Sequence, residues 1–594
     1  MRHGFLVSVV TVVVLAGCTS RKPEQKPAAA APTATPGSAA STRVTKPAPA
    51  APGVEPKFID VAASSGIAFT YFNDPVPDRF FVPEVMGGGA AWLDYDLDGR
   101  LDLHLTNGSR INDDGTGDGE HRDQFFRAVG GGRFVNVTPA CGAGEDRFGQ
   151  GVAVGDYDAD GFPDLFLANY GPDTLLHNNG DGTFTEVSAA GGVGGDEEWG
   201  TSAAFADLDG DGILDLYVCN FLDVTLATSE PCTWAGGPGY CGPGSYLGVQ
   251  DRVYYGRGDG TFAERAVATG FEEFEGRGKG LCLVIVDLDD DLVPEVYVGN
   301  DMMPNYLYVW EPPASASSGG IGRYVERGLN AGCAVSDEGA NEATMGIACD
   351  DFNEDGRPDI FLLHFHKAKN TLYHNLGGLT FSDESRRTRI AATSFDNLGF
   401  GTVALDWDRD GRLEMFNATG NVLGPNTQPC EMPPQLLWRS GRETFADVSQ
   451  RVAGDYFAGK WLGRGVAGAD YDDDGDLDIA VCHNTSPFVL LRNDTEAPGR
   501  FLSLDLATPS RIPPVGGRVE VESGGIRMVR PIASGGTYLS SHDPRLLFTL
   551  ASDGAPAKVT IHWPNGQIDR FELEGDAFWR VVQGGPPSRL EPKR

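Results

Sequence analysis

Asp156-Tyr-Asp158-Ala-Asp160-Gly161-Phe-Pro-Asp164 places three carboxylates at alternate positions, then a glycine, then a fourth carboxylate. Neither a nucleophile nor a general acid requires that spacing, but a hard cation does. Calcium takes about six to eight oxygens, and one short loop supplies them from alternate side chains, a backbone carbonyl and water. Gly161 allows the sharp turn that brings both ends of the loop onto one ion. Val152-Ala-Val154 precedes the loop and Leu165-Phe-Leu-Ala168 follows it, and such short apolar runs read as strands. The stretch is expected to form a strand, a metal loop and a second strand.

The spacing matches the first half of an EF-hand loop. Leu167, however, stands where that motif has its bidentate glutamate, and the flanks are not helical. Repetition decides the reading, because the pattern occurs seven times at intervals of 51 to 80 residues. The first copy is Asp94, Asp96, Asp98, Gly99, Asp102 and the second is the loop quoted above. The third is Asp207, Asp209, Asp211, Gly212, Asp215. The fifth is Asp351, Asn353, Asp355, Gly356, Asp359, with an amide oxygen in the second place. The sixth is Asp406, Asp408, Asp410, Gly411, Glu414, and the seventh is Asp470, Asp472, Asp474, Gly475, Asp478. The fourth copy, Asp287, Asp289, Asp291 and Glu295, has Leu292 in place of the glycine. A leucine there must take a costly positive φ or relax the turn, so this loop is expected to be the weakest or most distorted.

Each loop runs into an alternating apolar stretch, such as Leu214-Asp-Leu216-Tyr-Val218. Between loops lies a second unit, Asn178-Asn-Gly180-Asp-Gly182-Thr-Phe184 in one copy and Gly258-Asp-Gly260-Thr-Phe262 in another, a tight-turn signal between strands. Weaker copies end in Phe134, Phe381 and Phe445. Each period therefore holds about four strands, the content of one propeller blade. The fold expected is all-β: a seven-bladed β-propeller followed by a small β domain. Phe58-Ile-Asp60-Val61 repeats the start of later units and is expected to pair into the last blade, closing the ring and removing exposed strand edges.

The repeats resemble the FG-GAP/VCBS family, the calcium-loop propeller repeats also found in integrin α-chain heads. Calcium, up to seven ions, is what the resemblance and the loop chemistry both imply. Beyond Asp494 the acidic loops stop and strand–turn–strand patterns such as Val559-Thr-Ile561-His-Trp563-Pro-Asn-Gly566 take over. With Gly535-Gly-Thr-Tyr538-Leu-Ser540, they resemble the ASPIC/UnbV domain, and a propeller followed by that domain is the layout of bacterial relatives of cartilage acidic protein. The domains expected are a leader at 1–17, an Ala/Pro-rich tether at 18–55, the propeller at 56–496 and the β domain at 497–585.

The leader ends in Leu15-Ala16-Gly17-Cys18, which resembles a bacterial lipobox and implies lipidation of Cys18. The folded part is then expected on the outer side of a membrane of the cell envelope, held there by acyl chains. A net charge of −37 argues against nucleic acid as a partner, since that needs a basic footprint. Of the ten cysteines, Cys232 and Cys241 share one Gly/Pro-rich loop and are expected to form a disulfide. His364-Phe-His366 lacks a third ligand and reads as structural rather than as a metal pair. Glu84 and Asp301 are candidates for an acid–base pair at the ring centre.

Two functions stay open. One is a lipid-anchored, calcium-stabilised binding or adhesion module for a protein or glycan, with 222–252 as the recognition loop. The other is an extracytoplasmic polysaccharide lyase or hydrolase with its site at the channel mouth. No nucleophile elbow, Walker A loop or zinc-hydrolase helix is present in the sequence.

Overall fold

The structure is a computed structural model. It describes residues 52–591, apart from 113–115, 195–197, 235, 273–277, 313–321, 425 and 427–428. Cys18, the leader and nearly all of the tether lie outside the described residues.

Alternating patterns pair with their neighbours in sequence, as short connections favour. The first sheet takes Ala90–Leu93, Asp102–Leu105, Gln124–Gly130 and Arg133–Asn136 in order. Six further sheets of the same antiparallel kind follow. Each second strand begins on the last carboxylate of its acidic loop: Asp102, Asp164, Asp215, Glu295, Asp359, Glu414 and Asp478. The loop chemistry and the strand boundary are therefore one feature. In the seventh sheet the outer strand is supplied by Phe58–Asp60, with Phe58 opposite Asn493 and Asp60 opposite Leu491.

The first strands face one another in a closed circuit. Ala90–Leu93 lies against Phe148–Gly155, then come Gly200–Ala206, Gly280–Val286, Gly346–Asp350, Gly399–Leu405 and Gly463–Ala469, which returns to Ala90–Leu93. Among them Phe148–Gly155, Gly200–Ala206 and Gly463–Ala469 are rich in Gly and Ala. The acidic loops, each joining a first strand to a second, share one face of this ring.

The C-terminal part forms two more four-stranded sheets. One orders Leu546–Leu550, Arg500–Ala507, Ala577–Val582 and Ser588–Leu590; the other orders Ile526–Pro531, Arg518–Ser523, Ala557–His562 and Ile568–Leu573. The strand at Ser588–Leu590 carries this domain past residue 585. Its apolar residues join those of the fifth and sixth ring sheets in one core, from Phe361 and Met415 to Leu504, Val559 and Trp563.

One strand leaves the domain altogether. Ser534–Tyr538 pairs with Gly280–Val286 and becomes a fifth, innermost strand of the fourth ring sheet, with Cys282 opposite Tyr538. The C-terminal domain thus sends a finger into the ring.

Candidate metal loops and the filled ring axis

All seven loops are built alike. The first carboxylate turns back to accept the amide at the sixth position: Gly99, Gly161, Gly212, Leu292, Gly356, Gly411 and Gly475 each donate to it at 2.8 to 3.0 Å. Leu292 keeps this bond by adopting φ 71°. Of the two outcomes open to it, the chain accepts the strain and the fourth loop retains the shared shape. A second requirement was invisible in the sequence. The fourth position of every loop also has positive φ, between 50° and 68° at Leu97, Ala159, Asp290, Glu354, Arg409 and Asp473, and only Gly210 in the third loop relieves it. Six non-glycine residues held left-handed mark backbone that its surroundings over-determine.

The final carboxylate ties the loop to the sheet. Asp164 accepts Tyr157 N at 3.2 Å and Asn178 N at 2.7 Å. Asp102 and Asp215 do the same with Tyr95 and Ala128, and with Leu208 and Gly256. Burial, reinforced by the neighbouring loop carboxylates, pushes Asp102 and Asp215 up to about 8 and Asp164 to about 9. Burial likewise raises Glu295, Asp359, Glu414 and Asp478 well above the carboxylate range. A set of carboxylates this close and this dry needs either protons or a cation.

The residues fit a cation. Oxygens of Asp94, Asp96 and Asp102 lie within 4.8 Å of one another, as do those of Asp156, Asp158 and Asp160, of Asp207, Asp209 and Asp215, and of Asp287, Asp289 and Asp291. Asp96 Oδ1, Asp156 Oδ1, Asp359 Oδ2, Asp408 Oδ1 and Glu414 Oε2 are buried and accept no hydrogen bond. An all-oxygen set with lone pairs left over is what a hard divalent ion takes up.

The C-terminal domain docks on this acidic face. Arg545 reaches Asp543 at 2.7 Å, Asp473 at 3.1 Å and the Asp470 carbonyl at 2.8 Å. Arg518 pairs with Asp290 at 2.7 Å and Arg530 with Asp350 at 2.6 Å. Basic residues of one part thereby neutralise loop-face carboxylates of the other.

From that face the finger, residues 534–543, enters the ring. On the way in, Thr537 Oγ1 donates to Val466 O at 3.0 Å. At the tip, Leu539 turns with φ 57°, its amide donating to Ser202 Oγ at 2.9 Å and its carbonyl accepting Val152 N at 3.1 Å. On the way out, Ser541 exchanges bonds with Ala90 and Trp92, and Asp543 N donates to Gly468 O. The Tyr538 hydroxyl reaches Met86 O at 3.1 Å, and its ring packs on Phe400. A Cβ on Gly89 would sit 1.7 Å from Leu539 O, so the glycine is demanded by the close approach.

Beyond the tip, Arg464 closes the axis. It is fully buried, donates to Val85 O and Gly463 O, each at 2.7 Å, and lies over the Phe400 ring. The insertion between the second and third strands of the third sheet covers the same end. Cys232 and Cys241 are joined in a disulfide within it. Its Tyr240 hydroxyl donates to Glu84 Oε2 at 2.8 Å, and Pro238 O accepts from Asn426 of the sixth sheet's loop. Glu84 also pairs with Arg79. Asp301 is buried beside Lys279, and its carboxyl is raised to about 7 by burial. Each of these two acids thus has its own cation. His364 and His366 lie beyond the strand Asp359–Leu363. His364 is buried against Ala343 O and Thr371, while the half-buried His366 faces Asp396 O, and the two form no metal pair.

Fold and site together define an all-β repeat protein whose chain carries FG-GAP-like repeats and a C-terminal ASPIC and UnbV domain. The FG-GAP-like repeat model matches residues 94–167, 156–218 and 351–416, and the ASPIC and UnbV model matches 507–586. Among individual proteins the chain is similar to Cartilage acidic protein 1 of Xenopus tropicalis, 24% identical over 73% of this chain and 64% of that protein. It is also similar to the Mus musculus protein of the same name, 26% identical over 56% of this chain and 45% of the relative. The match thus spans between about half and two thirds of these relatives' length. Among solved structures, an Agrocybe aegerita lectin that recognises non-reducing terminal N-acetylglucosamine aligns over 68% of this chain and 93% of its own, at 15% identity and a TM-score of 0.36. The exotype rhamnogalacturonan lyase YesX aligns over 84% and 90%, at 13% identity and a TM-score of 0.30. No helix among the described residues is long and apolar enough to cross a membrane.

Proposed function

We propose that this protein is a lipid-anchored, extracytoplasmic binding module whose acidic loops hold calcium as structural clips, and which presents an outer loop to a protein or glycan. The filled axis is the observation that carries this reading. Where a ring enzyme would gather its reacting groups, the chain packs its own finger, Arg464 and the insertion. Recognition then falls to the outer surface. The insertion offers Trp234 and Leu247, both exposed, on a segment braced by the Cys232–Cys241 bridge. Aromatic side chains on a rigid support suit both sugar faces and protein surfaces.

The test is binding of the calcium-loaded chain to a glycan array and to biotinylated envelope proteins, with Trp234→Ala alongside. Saturable binding lost in the variant is the expected result. Release of new sugar ends from an envelope polysaccharide, with no saturable binding, would overturn the proposal in favour of a lyase or hydrolase.

A further inference from the structure

The seven loops differ at one place that their own residues do not show. The third strand of each ring sheet carries a residue opposite the loop's final carboxylate. The registers Leu103–Phe126, Leu165–Leu176, Leu216–Tyr254 and Val296–Tyr308 put Arg127, His177, Tyr255 and Val309 there. The registers Ile360–Tyr373, Met415–Leu437 and Ile479–Leu491 add His374, Trp438 and Arg492. In the first loop this residue acts as a built-in cation: Arg127 Nε is 2.6 Å from Asp96 Oδ2 and Nη2 is 3.2 Å from Asp98 Oδ2. At the third, fourth and sixth loops it is uncharged.

The second and fifth loops carry imidazoles, in matching contexts: Thr174-Leu-Leu-His177-Asn178 and Thr371-Leu-Tyr-His374-Asn375. His177 Nδ1 lies 3.3 Å from Asp158 Oδ2 and 3.4 Å from Asp164 Oδ1. These three donors lie within 4.8 Å of one another, and Asp158 also belongs to the triad with Asp156 and Asp160. The nitrogen is screened from solvent and makes no hydrogen bond. In the fifth loop His374 is only 4% exposed, and its Nε2 is an orphan. Opposite it, fully buried Asp359 has an orphan Oδ2. Two donors about 2.1 Å from one ion at a tetrahedral angle stand about 3.4 Å apart, which is the spacing around His177.

Resting on the reading of the loops as cation sites, we propose that the second and fifth loops take a transition-metal dication, with His177 and His374 as nitrogen ligands beside the carboxylates, while the remaining loops are oxygen-only sites. Calcium prefers oxygen alone, whereas imidazole suits zinc, cobalt, nickel and copper. The competing assignment is that His177 serves only as an internal partner of Asp158 and Asp164, as Arg127 does for Asp96 and Asp98 in the first loop.

Cobalt separates them. The purified full chain is dialysed against excess calcium with a low concentration of Co²⁺, then assayed for bound metal and for visible ligand-field bands. Retention of about two equivalents in the presence of calcium is expected, with His177→Gln and His374→Gln each removing one and weakening cobalt binding roughly tenfold or more. The stabilisation by calcium at the other loops should persist in both variants, which shows that they fold. No cobalt retained against calcium, or retention unchanged in both variants, overturns the proposal. Loss in only one variant overturns it for the other loop. Absence of any calcium-dependent stabilisation in the parent chain would instead sink the reading of the loops as calcium clips, and the two failures are told apart by the metal used.

Discussion

Thr549 Oγ1 donates a 2.6 Å hydrogen bond to Asp406 Oδ2: a hydroxyl of the C-terminal domain holds the first carboxylate of the sixth acidic loop. Asp406 is half-buried, and desolvation raises its carboxyl to about 7. The loop is therefore complete only when the domain is seated. Thr549→Val removes one of the two donors to Asp406 Oδ2 and leaves only the Gly411 amide, at a cost of about 1–3 kcal/mol. The urea midpoint in calcium is expected to fall accordingly, and an unchanged midpoint would separate the domain's seating from the loop's stability.

Calcium itself should raise the melting temperature in proportion to the logarithm of its concentration. Each site adds about 2.7 kcal/mol when the ion stands at a hundred times its dissociation constant. Chelation should reverse the gain. Melting curves that coincide with and without chelator would remove calcium from the account of the fold.

Gly89→Ala and Gly210→Ala give a matched pair. Gly210 has φ 77° and open space around its Cβ position, so alanine there costs about 1–2 kcal/mol of left-handed strain. Gly89 has no such φ, but its Cβ would collide with Leu539 O at 1.7 Å. The finger must move, and the loss of stability should exceed that of the Gly210 variant several-fold. Equal losses would mean that the finger does not sit where Gly89 requires it.

Reduction of Cys232–Cys241 should speed proteolytic cleavage within 222–252 while leaving the main melting transition in place, because the bridge braces an insertion rather than the ring. Cleavage at the same rate with and without reductant would deny the bridge that role.

Cys18→Ser should shift the protein from the membrane fraction to the soluble one, since the acyl chains are the anchor in the proposed function. Membrane retention of the variant would require another attachment.

What the sequence disclosed was local and periodic. Seven loops, each ending on the carboxylate that starts a strand, and the Phe58 segment that pairs with Asn493 could be read because period and alternation lie along the chain. The finger could not. Gly535-Gly-Thr-Tyr538-Leu-Ser540 has the look of a turn in a small domain, and nothing local says that its partners are Leu283, Val152 and Ala90. His177 escaped for a similar reason. It stands thirteen residues beyond Asp164 in sequence, and only the register of two strands brings it to the loop. The left-handed fourth position left no compositional trace, because six of its seven residues are not glycine.

The finger also fixes an order of events. Ser540 bonds to Ala90 across 450 residues of chain, a closure whose entropy must be met before any contact rewards it. Until those late residues exist, the inner strands around Ala90, Val152 and Leu283 border an unfinished core, in the state most prone to wrong association. Completion of the ring core therefore waits on residues 534–543. A later portion of the chain thus supplies the centre of an earlier one.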